Sequence, residues 1–322
     1  MKSVSYKSYG APDVLRLELR PTPKPKAKEL QIRVHASAVT TADWRLRASE
    51  FPGGLWIIGR LMFGLFRPRK PILGMTFAGE VTEVGAGVTK FKVGQRVYGS
   101  SGGGAHAEYL TIAEDRAVAE MPESLEYSDA AAVPFGGLCA LEFLRDVADL
   151  KQGQRILIIG ATGGVGAYAI QIAKAKGAHV TAVCGGTSDE LAQTLGADAV
   201  VNYHDTDPLT GKDTYDVVFD CVGASSFPKA RKVLKPTGLY IPLNFGIREV
   251  WQLAMQSKTG GKRMKLHVNG DKPENLQELT TMMSEGTLKP VVDRVYDLID
   301  VFEAHSRVQT RHARGTVVLS LG

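Results

Sequence analysis

Cysteine is scarce. The 322 residues hold three, Cys139, Cys184 and Cys221, too few and too scattered for a disulfide framework or a four-cysteine zinc lobe, so a reducing compartment is expected. No apolar run is long enough to span a bilayer. The stretch 51–66 is broken by Pro52, Gly53, Gly54, Gly59, Arg60 and Gly64 and falls short of the roughly 20 residues a spanning helix needs. Behind Met1 comes a strand-like V-S-Y segment rather than a charged-then-apolar leader. The expectation is a cytoplasmic protein with no integral membrane segment. Long charge runs are missing too: the net charge is +5, and the basic stretches 67–70 and 262–265 are short and lack the interleaved aromatics of a nucleic-acid groove. They read as solvated surface, and nucleic acid is not an expected partner. Internal repeats and low-complexity segments are also missing.

Glycine is abundant, and residues 155–166 read RILIIGATGGVG. Ile156, Leu157, Ile158 and Ile159 form a run of the kind found in strands buried on both faces. Gly160, Gly163 and Gly166 follow in a G-x-x-G-x-x-G register, with Gly164 as an extra. Behind them Ala169, Ile172 and Ala173 recur at helical spacing, and Gly177 sits where a helix stops. A strand, a glycine turn and a helix place free backbone N–H groups at a helix N-terminus, where partial positive charge favours phosphate. A dinucleotide held by Gly160, Ala161, Thr162, Gly163, Gly164, Val165 and Gly166 is the expected ligand. A tight turn with no ligand is the alternative.

Before this turn, short β runs at 15–19, 30–35, 77–84, 96–98 and 108–112 are punctuated by glycine and proline, which predicts a small irregular barrel. Residues 128–132 and 139–150 read as helices separated by Pro134, Gly136 and Gly137. After the turn, strand-like runs at 179–184, 199–202, 215–220, 238–243 and 263–268 are separated by helices, among them 189–195 and 227–234. That alternation predicts an α/β fold with a doubly wound parallel sheet. Helices at 273–285 and 300–308 and a strand at 316–319 return to the character of the first half. The domain expectation is therefore a discontinuous catalytic domain, 1–121 and 269–322, around a dinucleotide-binding domain, 122–268.

Residues 74–97, the segment PFGGLCA at 134–140, the turn at 160–166 and the ending HARGTVVL together resemble the medium-chain dehydrogenase/reductase superfamily. The chain looks most like its zinc-free, quinone oxidoreductase-like branch. The resemblance implies a chaperonin-10-like, mostly-β catalytic domain, a Rossmann domain with the active site between them, a nicotinamide cofactor and a homodimer. Zinc-dependent members carry a Cys early in the catalytic domain and a His-Glu pair before the strand matching 77–84. Here those positions fall near Thr40 and on Gly74, Met75 and Thr76, none of which is a thiolate, imidazole or carboxylate ligand. No metal is expected. Without a Lewis acid, hydride transfer to a quinone or an α,β-unsaturated carbonyl is easier than alcohol oxidation, because the charge spreads into an oxygen that N–H or hydroxyl donors stabilise. The rival readings are a nucleotide-binding sensor or structural protein with little catalysis, and a zinc-free alcohol dehydrogenase.

By the same resemblance Thr40, Asp43 and Trp44 lie near the substrate; Asp43 otherwise caps the following helix, and Trp44 is otherwise a core aromatic. Cys139 lies on a segment that contacts the cofactor, with no basic partner to make it a nucleophile. His106 is a proton donor or an ordinary loop histidine. The second strand of the sheet ends at Cys184, Gly185, Gly186, Thr187 and Ser188, with no acid before Asp189. A ribose phosphate is not repelled there, and Thr187, Ser188 and Tyr203 offer hydroxyls, so NADPH is favoured over NADH. Val222, Gly223, Asn244 and Phe245 belong to the cofactor set, as do Arg314 and Gly315 from the closing element. The apolar stretches 51–69 and 247–262 are expected to set the choice of small-molecule substrate, or to contact a partner or a membrane surface.

Overall fold

In the computed structural model, which describes residues 1–212, 214–256 and 261–322, strand β1 (Lys2–Tyr6) pairs antiparallel with β2 (Leu15–Leu19). Strand β3 (Glu29–Val39) runs longer than its apolar residues predict. Its second half, Ala36, Ser37 and Ala38, has small side chains with little β propensity, but neighbours on both sides hold it extended. Helix α1 (Thr41–Ala48) and helix α2 (Trp56–Phe63) follow, then β4 (Thr76–Val84), β5 (Arg96–Ser100), β6 (Tyr109–Ala113) and β7 (Val118–Glu120). Strands β4 and β5 are the predicted strand, turn and strand of residues 74–97. Leu30, Ile32, Val34, Phe77, Val81 and Val97 share one core.

Helix α3 (Tyr127–Glu142) is continuous, where the sequence predicts two helices broken near Pro134. A proline inside a helix removes one N–H donor and crowds the preceding turn. Here packing overrides that cost: residues 130–134 and 138–141 are buried. The hydroxyls of Thr76 and Thr316 donate to the carbonyls of Ala131 and Ala132 beside the proline, at 2.9 and 3.2 Å. A single π turn, Phe143–Val147, continues the helix.

Strand β8 (Arg155–Ile159), α4 (Gly166–Ala175), β9 (His179–Cys184), α5 (Asp189–Thr194), β10 (Ala199–Asn202), β11 (Tyr215–Asp220), α6 (Phe227–Val233), β12 (Leu234–Pro242), α7 (Ile247–Ala254) and β13 (Arg263–Met264) alternate as expected. Their strands form one all-parallel sheet in the order β10-β9-β8-β11-β12-β13. This is the doubly wound arrangement, and it aligns the carboxyl ends of β8, β9, β11 and β12 along one edge. Strand β13 is shorter than the predicted 263–268. After Met264 the chain is held by side chains instead, Lys265 reaching the carbonyl of Val147 and His267 bonding Glu142.

Helix α8 (Pro273–Ser284), β14 (Val292–Asp297), α9 (Val301–Gln309) and β15 (Thr316–Ser320) complete the chain. Strand β15 is antiparallel to β3 and parallel to β14, within the sheet order β14-β15-β3-β4-β5-β7. Compact units comprise Met1–Phe51, Trp56–Leu138 and Asp271–Gly322, and Pro52–Leu55 with Cys139–Gly270. The divisions fall inside α3 and after Gly270. The hydroxyl bonds from Thr76 and Thr316, and the fit of Gly137 against Leu279, tie the first three turns of α3 to the first unit.

Candidate functional site

Within the second unit, the turn after β8 is built from backbone. The N–H groups of Gly160 and Ala161 both donate to the carbonyl of Val183, at 3.0 Å, and Gly163 N–H donates to Gly160 O at 3.2 Å. Gly160 has φ of +75°, a left-handed conformation that suits glycine. A Cβ there would also lie 2.5 Å from Val222. Gly166 is required for another reason: a Cβ on it would fall 2.2 Å from Gly160 O, so only glycine lets α4 start against the turn. No side chain caps α4; its first turn is closed by backbone instead, Ala167 N–H donating to Gly163 O at 3.0 Å. Thr162 is buried and Ala161 fully so. These residues form a cradle whose shape added side chains would destroy.

The end of β9 lies beside this turn. Cys184 is buried, and its thiol donates to Asp189 Oδ1 at 3.6 Å. Burial first, and the Asp189 carboxylate second, push that thiol up to about 12, so Cys184 is neutral and unreactive. At Gly185 a Cβ would sit 2.6 Å from the Tyr203 ring, which lays the aromatic face over the backbone. Gly186, Thr187 and Ser188 turn the chain into α5. His204, which the sequence reading passed over, lies with its ring 4.3 Å from that of Tyr203. Thr187, Ser188, Tyr203 and His204 thus cluster at the end of β9, with hydroxyl and imidazole donors.

Asp220, at the end of β11, is the group that sequence reasoning missed most plainly. It is fully buried. One carboxylate oxygen accepts from the N–H groups of Val222, Gly223 and Ala224, and the other from Ser225 N–H and the Tyr240 hydroxyl. Five donors fold residues 221–225 around one carboxylate. That loop carries Val222 and Gly223, and the Asn244 side-chain amide donates a hydrogen bond to Cys221 O. Phe245 follows, and Gly246 N–H caps α7 through Glu249. Burial, then Cys139, then Asp220 raise the Cys221 thiol far above its ordinary value. None of the three cysteines forms a disulfide.

Of the two apolar stretches, the second begins as α7, and Ile247, Val250 and Trp251 on it and Met255 just beyond it are exposed. Residues 257–260 of that stretch lie outside the described residues. A cavity of about 510 Å³ lies between α6 and α7, lined by Phe227, Arg231, Arg248, Trp251, Met255 and Lys262 among others. Gly53 packs against the start of α7 so tightly that a Cβ on it would be 2.5 Å from Gly246 Cα.

In the first unit, Thr40 and Asp43 form a reciprocal cap on α1. Thr40 N–H and hydroxyl both donate to Asp43 Oδ2, at 2.8 and 2.6 Å, and Asp43 N–H returns a bond to the hydroxyl. The other carboxylate oxygen accepts Gly74 N–H at 2.7 Å. Asp43 is thus spent on positioning, and Thr40 with it, while Trp44 packs into a core with Val39, Leu73 and Val301. His106 is not a loop residue in the ordinary sense but fully buried, its Nδ1 3.0 Å from the Ser37 hydroxyl. It stands edge-on to His305, with ring centroids 5.5 Å apart. Arg47, also buried, gives one bond to Gln309. His106 Nε2, both His305 nitrogens and Arg47 Nε and Nη1 have no partner among the described residues. At the end of this unit, Arg314 N–H is held by Asp293, and Gly315 has φ of +89° with Val291 O where a Cβ would be.

The positions that zinc would need do not fit the metal. Thr40 and Asp43 have their oxygens engaged with each other and with Gly74, and a Cβ at Gly74 would lie 2.7 Å from His106 Nδ1. The imidazole of His106 fills the space in which a side chain at position 74 would stand. No group of three metal-ligating side chains occurs among the described residues, and no helix among them is long and apolar enough to cross a membrane.

Residues 26–123 match the family model of the alcohol dehydrogenase GroES-like domain, and residues 195–319 that of zinc-binding dehydrogenase. The chain is 32% identical to a chloroplast envelope quinone oxidoreductase homolog of Arabidopsis thaliana, over 99% of this chain and 98% of the relative. It is also 32% identical to the 2-methylene-furan-3-one reductase of Solanum lycopersicum, over 99% of this chain and 79% of that protein. Among solved structures, the quinone oxidoreductase of Escherichia coli complexed with NADPH superposes with a TM-score of 0.82 at 26% identity, covering 100% of both chains.

Proposed function

Because the chain belongs to the medium-chain dehydrogenase/reductase superfamily, in its quinone oxidoreductase-like branch, we propose an NAD(P)H-dependent oxidoreductase that reduces a quinone or an α,β-unsaturated carbonyl. The observation that carries this reading is the cradle at Gly160 to Gly166, whose glycine-dependent shape fits a pyrophosphate at the start of a helix that no side chain caps. A reduced nicotinamide supplies the hydride when bound. The chain's own residues bind and orient: the loop organised by Asp220, with Asn244 and Phe245, continues the cofactor set along the sheet edge.

NADPH is the preferred form in this reading. Thr187, Ser188 and Tyr203 supply hydroxyls at the end of β9, no carboxylate precedes Asp189, and His204 adds an imidazole beside Tyr203. The enzyme works without zinc, although one matching family model is named for it, because the side chains at positions 40, 43 and 74 are unsuited to hold the ion. Charge developing on the acceptor's oxygen is then met by N–H or hydroxyl donors. Thr40, Asp43 and Trp44 serve as positioning groups for the Gly74 segment, and Arg314 and Gly315 are assigned to the cofactor from the catalytic domain. A homodimer through the exposed edge strand β13 and a cytoplasmic setting with reduced cysteines complete the proposal.

Fluorescence titration of NADPH and NADH, followed by turnover of deuterated cofactor with enones, quinones and simple alcohols, tests the reading. Tighter NADPH binding and deuterium transfer to conjugated acceptors are expected. Turnover of simple alcohols alone would point to a zinc-free alcohol dehydrogenase, and binding without any turnover to a nucleotide sensor.

A further inference from the structure

Helix α2 carries its polarity the wrong way round for a soluble protein. Gly59 is its one buried residue, placed so that a Cβ would strike the Phe51 ring. The side chain of Arg60 is tied to the rest of the unit: it bonds the Ser49 hydroxyl at 2.6 Å and Leu65 O at 3.0 Å, and its guanidinium lies 4.1 Å over the Tyr9 ring. Tyr9 in turn bonds Gly64 O. At 100° per residue, Ile57, Leu61, Ile58 and Met62 occupy the opposite arc. Their exposures are 54, 56, 52 and 60%. An ordinary surface helix turns such residues in and its arginine out. Leu65 and Phe66 extend the exposed apolar surface, and Phe66 is 87% exposed.

Charge on the same segment has one sign. Residues 51–79 contain Arg60, Arg67, Arg69 and Lys70 and no Asp or Glu. Arg67, Arg69 and Lys70 are exposed and follow the apolar surface directly. Aliphatic side chains next to a cluster of cations match the layering of an anionic bilayer surface, acyl chains below and phosphates above. A second copy of the chain is a poorer occupant, since a two-fold contact through this face would bring two cationic clusters together.

We propose that α2 and residues 65–70 form a peripheral docking element for an anionic lipid surface. Ile57, Ile58, Leu61, Met62 and Phe66 enter the boundary of the acyl layer, and Arg67, Arg69 and Lys70 meet the headgroup phosphates. This goes beyond the catalytic reading and does not depend on the acceptor.

Co-sedimentation of the full chain with vesicles of pure phosphatidylcholine, or with one part in three phosphatidylglycerol, provides the test. Binding is expected on the anionic vesicles, at least about tenfold over the neutral ones, and is expected to fall with salt. The triple variant R67Q/R69Q/K70Q should lose roughly 100-fold, at about 1 kcal/mol per cation. The variant I58S/L61S/M62S should lose at least about tenfold while keeping the parent's thermal midpoint, because the replaced side chains are exposed. Absence of vesicle binding overturns the proposal. So does equal binding to both vesicles, or loss that follows the cations and ignores the aliphatic changes. A parent dimer by light scattering that I58S/L61S/M62S converts to monomer would assign the face to a second copy instead.

Discussion

Asp220 in the second unit and the Arg47, His106 and His305 group in the first are both polar and fully buried, yet they are treated in opposite ways. Asp220 collects five donors, four of them backbone N–H groups of the next few residues. The three basic side chains leave five nitrogens without partners among the described residues. A buried carboxylate with full hydrogen bonding organises the chain around it. A buried base without partners is held only by its surroundings and subtracts from stability. The first arrangement fixes the loop that follows β11, and the second leaves the first unit sensitive to its environment.

The contrast is broken most severely by Asp220→Ala. Removing the carboxylate strands four N–H groups and a hydroxyl, so a loss of about 3–5 kcal/mol in urea unfolding is expected, with NADPH binding weakened at least about tenfold as Val222 and Gly223 shift. An unchanged denaturation midpoint would show that the loop holds itself. Acid should act next. Burial keeps His106 below the ordinary histidine value, and burial first, then His106 and Arg47, keep His305 well below it. The unfolded chain therefore takes up protons from about 6.5 downward while the folded one resists. Stability is complete above that value and is expected to fall by about 1 kcal/mol per histidine for each further pH unit, seen as a declining thermal midpoint between pH 7 and 5. Asp43 opposes the effect at His106.

Smaller changes sharpen the comparison. Tyr240→Phe removes one of the five donors to Asp220 and leaves the backbone set, for which about 1 kcal/mol is expected by the same unfolding measurement. His305→Leu should do the reverse of a usual core mutation. Replacing an unpartnered imidazole by an apolar side chain of similar size should raise stability by roughly 0.5–1 kcal/mol at neutral pH and flatten the acid decline. A destabilised variant with the same acid slope would mean that the imidazole is satisfied in solution.

The parallel sheet and the cradle were legible because their signals are local. A four-residue apolar run, three spaced glycines and a helical repeat lie within residues 155–177, and each constrains the next. Asp220 was harder to see. Its partners are backbone groups, which carry no residue signature, although an acid followed by the small residues of DCVGASS was the available hint. His106 and His305 are 199 positions apart by number, and only the fold makes them neighbours. Pro134 misled because propensity ranks below the burial of a helix on several sides. Strand β14 escaped since VDRVYD is an edge strand with exposed charges, a pattern that also describes a loop. Thr40, Asp43 and Trp44 stood out in the sequence as candidates for substrate contact, and the cap and core packing that these side chains also provide show only in the fold.

The place of β15 between β3 and β14 bears on how the protein is made. During synthesis the strand that pairs with residues 36–39 emerges nearly 280 residues later. The second unit, which apart from residues 52–55 is one continuous stretch, is able to close its sheet while the ribosome is still translating. The unit begun first is therefore finished last. Until Thr316–Ser320 appears, the edge of β3 that it covers stands open, and the unfinished half is the one exposed to chaperones and proteases.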